Sequence, residues 1–201
     1  GATWSEGFAA VWHMAQTNSL DSTANKFHTT VTGGAVAGDE GQVGLANSFN
    51  SGYIMAPSPV NTSGNTVSLW LSVNSVATGQ KGIFTTGISA IDGSPQMLLV
   101  HNNANLQTYR GTYFTVSTIA AQQWYYVTLV HSTTKEIAYI NGNKVNERTW
   151  NTLSNNDNIY IGSGYKANFQ GLIDEFRVST TQRTADWVWA EWRNMDAPTS
   201  F

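Results

Sequence analysis

Short runs of alternating apolar and polar residues dominate this chain. Val67-Ser68-Leu69-Trp70-Leu71-Ser72-Val73 sets large apolar against mostly small polar side chains, the period-2 pattern of a half-buried strand. Comparable runs predict strands at 8–14, 53–55, 82–86, 96–101, 106–110, 124–131, 136–141, 158–162 and 171–178. Between them lie turn formers such as Asn18-Ser19, Gly33-Gly34, Asp92-Gly93 and Asn102-Asn103. The sharpest is Ile140-Asn141-Gly142-Asn143, where Asn and Gly both tolerate the positive φ that a type I′ hairpin turn requires. Only 184–194 reads as helix. Thr184 can cap it, Asp186 suits its positive start and Arg193 its end. On that helix Trp187, with Trp192, is expected to pack inward and Trp189 to stay partly exposed. Trp12, Trp70 and Trp124 are expected in the core. About a dozen strands with no composition break indicate one antiparallel β-sandwich domain spanning 1–201, and a single cooperative unfolding transition.

Composition narrows the function. Only 11% of the 201 residues are charged, and 61 are Asn, Ser or Thr, so uncharged hydrogen-bonding groups carry the surface. No Lys or Arg occurs between Phe27 and Gln80, and the net charge is −3. Phosphate binding needs several convergent cations, so a nucleic-acid partner is excluded. No apolar run approaches the ~20 residues of a membrane-spanning helix. The absence of Cys removes disulfides, thiolate metal sites and cysteine nucleophiles.

Three stretches carry a resemblance. Val11-Trp12-His13-Met14 is followed by 21–28, Asp-Ser-Thr-Ala-Asn-Lys-Phe-His; 124–130, Trp-Tyr-Tyr-Val-Thr-Leu-Val, precedes 138–145; and 169–178, Phe-Gln-Gly-Leu-Ile-Asp-Glu-Phe-Arg-Val, precedes 183–187. In this order they resemble laminin-G-like, pentraxin-type domains of the concanavalin A-like lectin and glucanase superfamily, over about 8–195. The resemblance implies a jelly roll: two stacked antiparallel sheets, with the chain ends on neighbouring strands and one short C-terminal helix. It also implies an extracellular setting, secreted or at the surface of a bacterial cell, and a largely monomeric module of a larger protein. Gly1-Ala2 reads as the start of an excised piece, so targeting segments are not expected here.

The superfamily includes glucanases, which need two carboxylates flanking the scissile bond. Asp174-Glu175 is the one adjacent acidic pair in an expected strand, and neighbouring strand residues point to opposite faces. With no second carboxylate two positions away and no nucleophile elbow, the chain reads as non-catalytic. A structural calcium ion is the one cofactor expected. The resemblance places the first loop beside the penultimate strand, so Asp21, Asn25 and Asp174 are its expected ligands. The alternative is that Asp21 organises an Asx turn and Asp174 bonds backbone groups. For function, a carbohydrate-binding module recognising a polysaccharide is expected, because aromatic plates among amides and hydroxyls fit the faces and rims of sugar rings. Its candidate residues are Tyr109, Arg110, Trp150, Tyr165, His101 and Asn103. An adhesin or spacer domain without a sugar site is the alternative, and a row of exposed Tyr or Trp on one sheet face distinguishes the two.

Overall fold

The computed structural model describes residues 4–60, 64–77, 79–86, 97–110, 112–149, 158–163 and 167–197. The chain runs through β1 (Phe8–Trp12), β2 (Thr30–Thr32), β3 (Ala35–Glu40), β4 (Leu45–Asn50) and β5 (Tyr53–Pro57). It continues through β6 (Asn65–Val73), β7 (Gln80–Thr86), β8 (Met97–Asn102), β9 (Asn105–Arg110) and β10 (Thr112–Thr118). Then follow β11 (Tyr125–His131), β12 (Lys135–Ile140), β13 (Asn143–Thr149), β14 (Asn158–Ile161), β15 (Gln170–Ser179) and α1 (Ala185–Asp196).

Every strand pairing is antiparallel. One sheet has the order β13-β12-β11-β6-β15-β4-β3, with β1 also on β15; the other has β10-β9-β8-β7-β14-β5-β2. This is the β-sandwich that the alternation implied and the jelly roll that the resemblance implied, with the first and last strands paired. The two sheets meet again at one edge, where Asn146 donates to the Thr115 carbonyl at 2.9 Å and Arg148 to that of Thr112 at 3.3 Å. Between the sheets lies one apolar core, in which Trp12, Phe49, Phe84, Phe169 and Phe176 are fully buried. Fully burying side chains of this kind contributes about 1.5–3 kcal/mol each, which makes this layer the main stabilising element.

Five strands lie outside the runs read from the sequence: β2, β3, β4, β10 and β13. β13, Asn143–Thr149, is polar and exposed at nearly every position, as an edge strand can be. The half-buried expectation for β6 is also corrected. All nine of its residues are buried, because it is central in its sheet and the outer face of that sheet is itself covered. At 140–143 the hairpin turn forms as expected, with φ of +49° at Asn141 and +73° at Gly142.

The helix starts where its cap is. Thr184 accepts a hydrogen bond from the Trp187 amide at 3.3 Å, and the helix ends at Asp196 before Ala197 and Pro198. It lies on the outer face of the eight-stranded sheet, but its anchor differs from the expectation. Val188 is the buried residue and packs on Val130 and Tyr139, whereas Trp187 is 38% exposed and Trp189 48%. Trp192 is partly buried and sits against Gly142 of the hairpin. Val188, one residue on, takes the inward position of the helix, which leaves Trp187 at its flank against Phe8 and Arg183. Trp12 and Trp70 are buried as expected, but Trp124 lies just before β11 and keeps partial exposure.

Candidate functional site

With α1 covering the eight-stranded sheet, the outer face of the seven-stranded sheet is the broad surface that no helix covers among the described residues. Strand register decides what stands there. Across it, Met55 is opposite Tyr160, Tyr160 opposite Thr85, Thr85 opposite Leu98, Leu98 opposite Tyr109, and Tyr109 opposite Tyr113. The alternate residues Ile54, Ile161, Phe84, Leu99 and Leu106 point into the core, so Met55, Tyr160, Thr85, Tyr109 and Tyr113 belong to the outer face.

Two tyrosine shoulders result. On β9 and β10, the Tyr109 and Tyr113 rings lie 4.7 Å apart at 50°, and Tyr113 is 41% exposed. Beside them on the same face, the Gln107 amide donates to the Thr115 hydroxyl at 3.1 Å. On β5 and β14, Tyr53 and Tyr160 pack edge to face at 5.6 Å. Between the shoulders Thr85 and Val100 are buried. The strands bearing Tyr160 and Tyr109 are three steps apart, which puts the shoulders about 14 Å from each other. Both shoulders offer ring faces, the first with the Gln107 amide and Thr115 hydroxyl beside it, and none of these residues forms an ion pair among the described residues.

The residues singled out in the sequence separate on this framework. Tyr109 is at the heart of the first shoulder. Asn103 is exposed in the β8–β9 turn at φ +52°, its side-chain oxygen accepting the Gly79 amide at 3.2 Å. His101 is corrected. It is fully buried on the opposite, core side, its ring against Phe169 at 6.2 Å and its Nδ1 3.2 Å from the Asn103 carbonyl. Burial holds its pKa below the ordinary value. Trp150, Tyr165 and the side chain of Arg110 lie outside the described residues. Tyr113 closes the polar, aromatic stretch 109–113 that the sequence already offered as a candidate cluster, whereas Gln107, Thr115, Tyr53 and Tyr160 were not chosen from the sequence. The signal was available only in part: 105–109 and 113–117 alternate about the turn that Gly111 marks, which would have put Tyr109 and Tyr113 on one face.

The calcium ligands fit poorly. Asp21 already accepts four hydrogen bonds, from the Val11 and Thr23 amides at 3.0 and 2.9 Å, the Thr23 hydroxyl at 2.8 Å and the Phe27 amide at 2.9 Å. A carboxylate ringed by donors is satisfied as an anion and has no lone pair left for a cation. Asn25 turns its amide nitrogen to the Ala9 carbonyl at 2.8 Å. These bonds describe the Asx-type loop organiser, stitching 21–27 to β1. Asp174 serves a different loop, accepting the Val43 amide at 2.7 Å. No three His, Asp or Glu side chains form a metal-holding group among the described residues.

The acids at Asp174-Glu175 do diverge, though not by simple alternation. Glu175 sits at φ +49° in a bulge where the β15–β6 register shifts. Its carboxylate meets His13 at 2.6 Å and Arg177 at 2.6 Å. Burial alone would raise its pKa, but those partners hold it below the ordinary value, while the same contact raises that of His13. Both acids are buried, at 0% and 2% exposure, so they do not flank an open cleft.

Residues 47–189 match the laminin-G-type family model of the concanavalin A-like lectin/glucanases superfamily. The chain belongs to that superfamily. No curated protein sequence matches it. Among solved structures, domain 4 of AbnA, an extracellular GH43 arabinanase from Geobacillus stearothermophilus solved with arabinotriose, superposes with a TM-score of 0.75 at 20% identity, covering 92% of this chain and 97% of that one. The binding domain of botulinum neurotoxin serotype D gives 0.74 at 14% identity, over 94% of this chain and 52% of that one. Trypanosoma rangeli sialidase, in complex with sialic acid, gives 0.79 at 10% identity, over the whole of this chain and 35% of that one. The sialidase is thus matched over about a third of its length. At these identities the likeness establishes the fold.

Proposed function

We propose that this superfamily member is a non-catalytic carbohydrate-binding module, extracellular and carried by a larger protein, which holds a neutral polysaccharide on the outer face of its seven-stranded sheet. The observation that supports this most is the Tyr109–Tyr113 shoulder with Gln107 and Thr115 beside it, on a sheet face that no helix covers among the described residues. Stacked ring faces take up the C–H faces of sugars, and the amide and hydroxyl meet their hydroxyl groups. The sparse charge favours a neutral glycan over an anionic one. That AbnA domain 4 was solved with arabinotriose, and that other neighbours are toxin binding domains, is consistent with a binding role.

Affinity electrophoresis against plant, algal and microbial polysaccharides tests the reading. Retardation by at least one neutral polymer is expected. Tyr113→Ala and Tyr109→Ala should each weaken it by about ten- to a hundredfold, the equivalent of about 1.5–3 kcal/mol for one buried side chain. Retardation unchanged in both variants would move the ligand off this face. No retardation by any polymer would favour an adhesin or spacer role.

A further inference from the structure

A cavity lies on the opposite side of the molecule from the tyrosine face, where α1 meets β1. It encloses about 400 Å³ and is walled by Trp4, Phe8 and Trp187, with Arg177, Glu191 and Asn194 supplying its polar groups. Its walls are held rigid from behind. Arg183 stacks on Trp187 at 4.0 Å and on Phe8 at 4.8 Å, and Arg177 stacks on Trp4 at 4.9 Å. Arg177 is fixed in turn by Glu175 at 2.6 Å and Glu191 at 3.0 Å. Trp187, 38% exposed, thus stands beside the buried Val188 with Arg183 against its ring.

We propose that this cavity binds one neutral sugar ring, at a site independent of the tyrosine face. Its size lies within the range of small-molecule sites. Three aromatic walls supply contact for the C–H faces of a ring. The electrostatics select against other ligands. Glu175 and Glu191 both pair with Arg177, while Arg183 donates to the Glu6 carbonyl and lies on Trp187 and Phe8; the four charges sum to zero, so neither an anion nor a cation gains a net attraction from them. A purely apolar ligand would cover Arg177, Glu191 and Asn194 without hydrogen-bonding them, which is costly. A ring carrying hydroxyls satisfies both the walls and the polar groups, and the fixed ion pairs mean little ordering is required on binding.

The test uses protein labelled with 5-fluorotryptophan and 19F NMR, with the Trp4 and Trp187 signals assigned from Trp4→Phe and Trp187→Phe. Methyl glycosides of neutral hexoses and pentoses are titrated in turn, alongside tetramethylammonium, inorganic phosphate and cyclohexanol. A saturable shift of both signals with at least one glycoside, absent with the three control compounds, is expected. Ala190→Leu, which fills the cavity without removing a wall, should weaken that response at least tenfold without lowering the melting temperature. Asn194→Ala, at an exposed helical position, should weaken it several-fold and serves if the leucine variant misfolds. Tyr109→Ala should leave it unchanged, which separates this site from the sheet face. The proposal is overturned by no saturable shift with any glycoside, by saturation with a control compound, or by a response that survives cavity filling.

Discussion

Asp174 is buried at 0% exposure. One carboxylate oxygen accepts the Val43 amide at 2.7 Å, while the other is buried with no hydrogen-bond partner. Burial, with the neighbouring Glu175 charge adding to it against the Val43 bond, pushes its pKa from 3.8 up to about 7. Because the folded value is the higher one, the native state binds this proton more tightly than the unfolded chain does. The associated stability is fully present below about pH 4, declines as pH rises, and is lost above about pH 7. Asp174→Asn mimics the neutral acid: its carbonyl keeps the Val43 bond and its amide stands where the acid proton would be. The variant should therefore gain on the parent as pH rises. With each pKa unit worth about 1.4 kcal/mol, the gain between pH 5 and pH 8 comes to about 2–3 kcal/mol. Urea denaturation of both proteins at pH 5, 6, 7 and 8 measures it, and the difference between the two curves removes other groups that titrate independently. A difference that stays flat, or a variant that loses ground toward pH 8, would refute the buried, partly protonated carboxyl.

Other perturbations follow from the same geometry. Asp21→Ala leaves four donors of the first loop without their acceptor and should cost about 3 kcal/mol or more in urea denaturation, while EDTA should leave the parent melting temperature unchanged; a fall with EDTA would restore a calcium ion. Glu136 is fully buried, paired with His131 at 3.0 Å and Arg148 at 3.3 Å; burial opposes but its partners prevail, holding its pKa below the ordinary value. Its stabilising effect is thus present above the ordinary carboxylate pKa and lost as pH falls, and Glu136→Gln should destabilise by about 3–5 kcal/mol at pH 7 and less at pH 3. In an NMR titration of the histidine rings, His13 should titrate above 6.5 because of Glu175, and the desolvated His101 below it. Gly142→Ala places a side chain at φ +73° and within 2.8 Å of Trp192, so it should loosen the helix as well as the turn, cost at least about 1–2 kcal/mol, and lower the melting temperature.

The fold was legible because its signals are local. Asn141-Gly142 forced its hairpin, Thr184 started its helix, and strands that alternate in sequence alternate in space. What failed was whatever depended on a neighbour. β6 looks half-buried until its sheet receives a cover, and Trp187 looks like a core residue until Val188 takes the inward position. His101 and Asn103 looked like companions of Tyr109 because they stand across one hairpin. Register, however, sends His101 into the core, and it brings Tyr160, from fifty residues further along, into line with Tyr109.

That separation has a structural cause. The segments 124–130, 138–145 and 169–178, two of the three stretches behind the family resemblance, build β11, β12 and β15 and the hairpin after them, in the eight-stranded sheet that packs beneath α1. They are buried or half-buried through most of their length, so their residues answer to packing. The tyrosine shoulders stand on β9, β10, β5 and β14, in the other sheet, where a side chain can change without disturbing that layer. The core-forming sheet thus identifies the superfamily and says little about the ligand. On the proposed reading, polysaccharide specificity is carried by the solvent-facing outward positions of the seven-stranded sheet, such as Tyr113 and Gln107, and substitutions there should alter glycan retention while leaving the unfolding midpoint nearly unmoved.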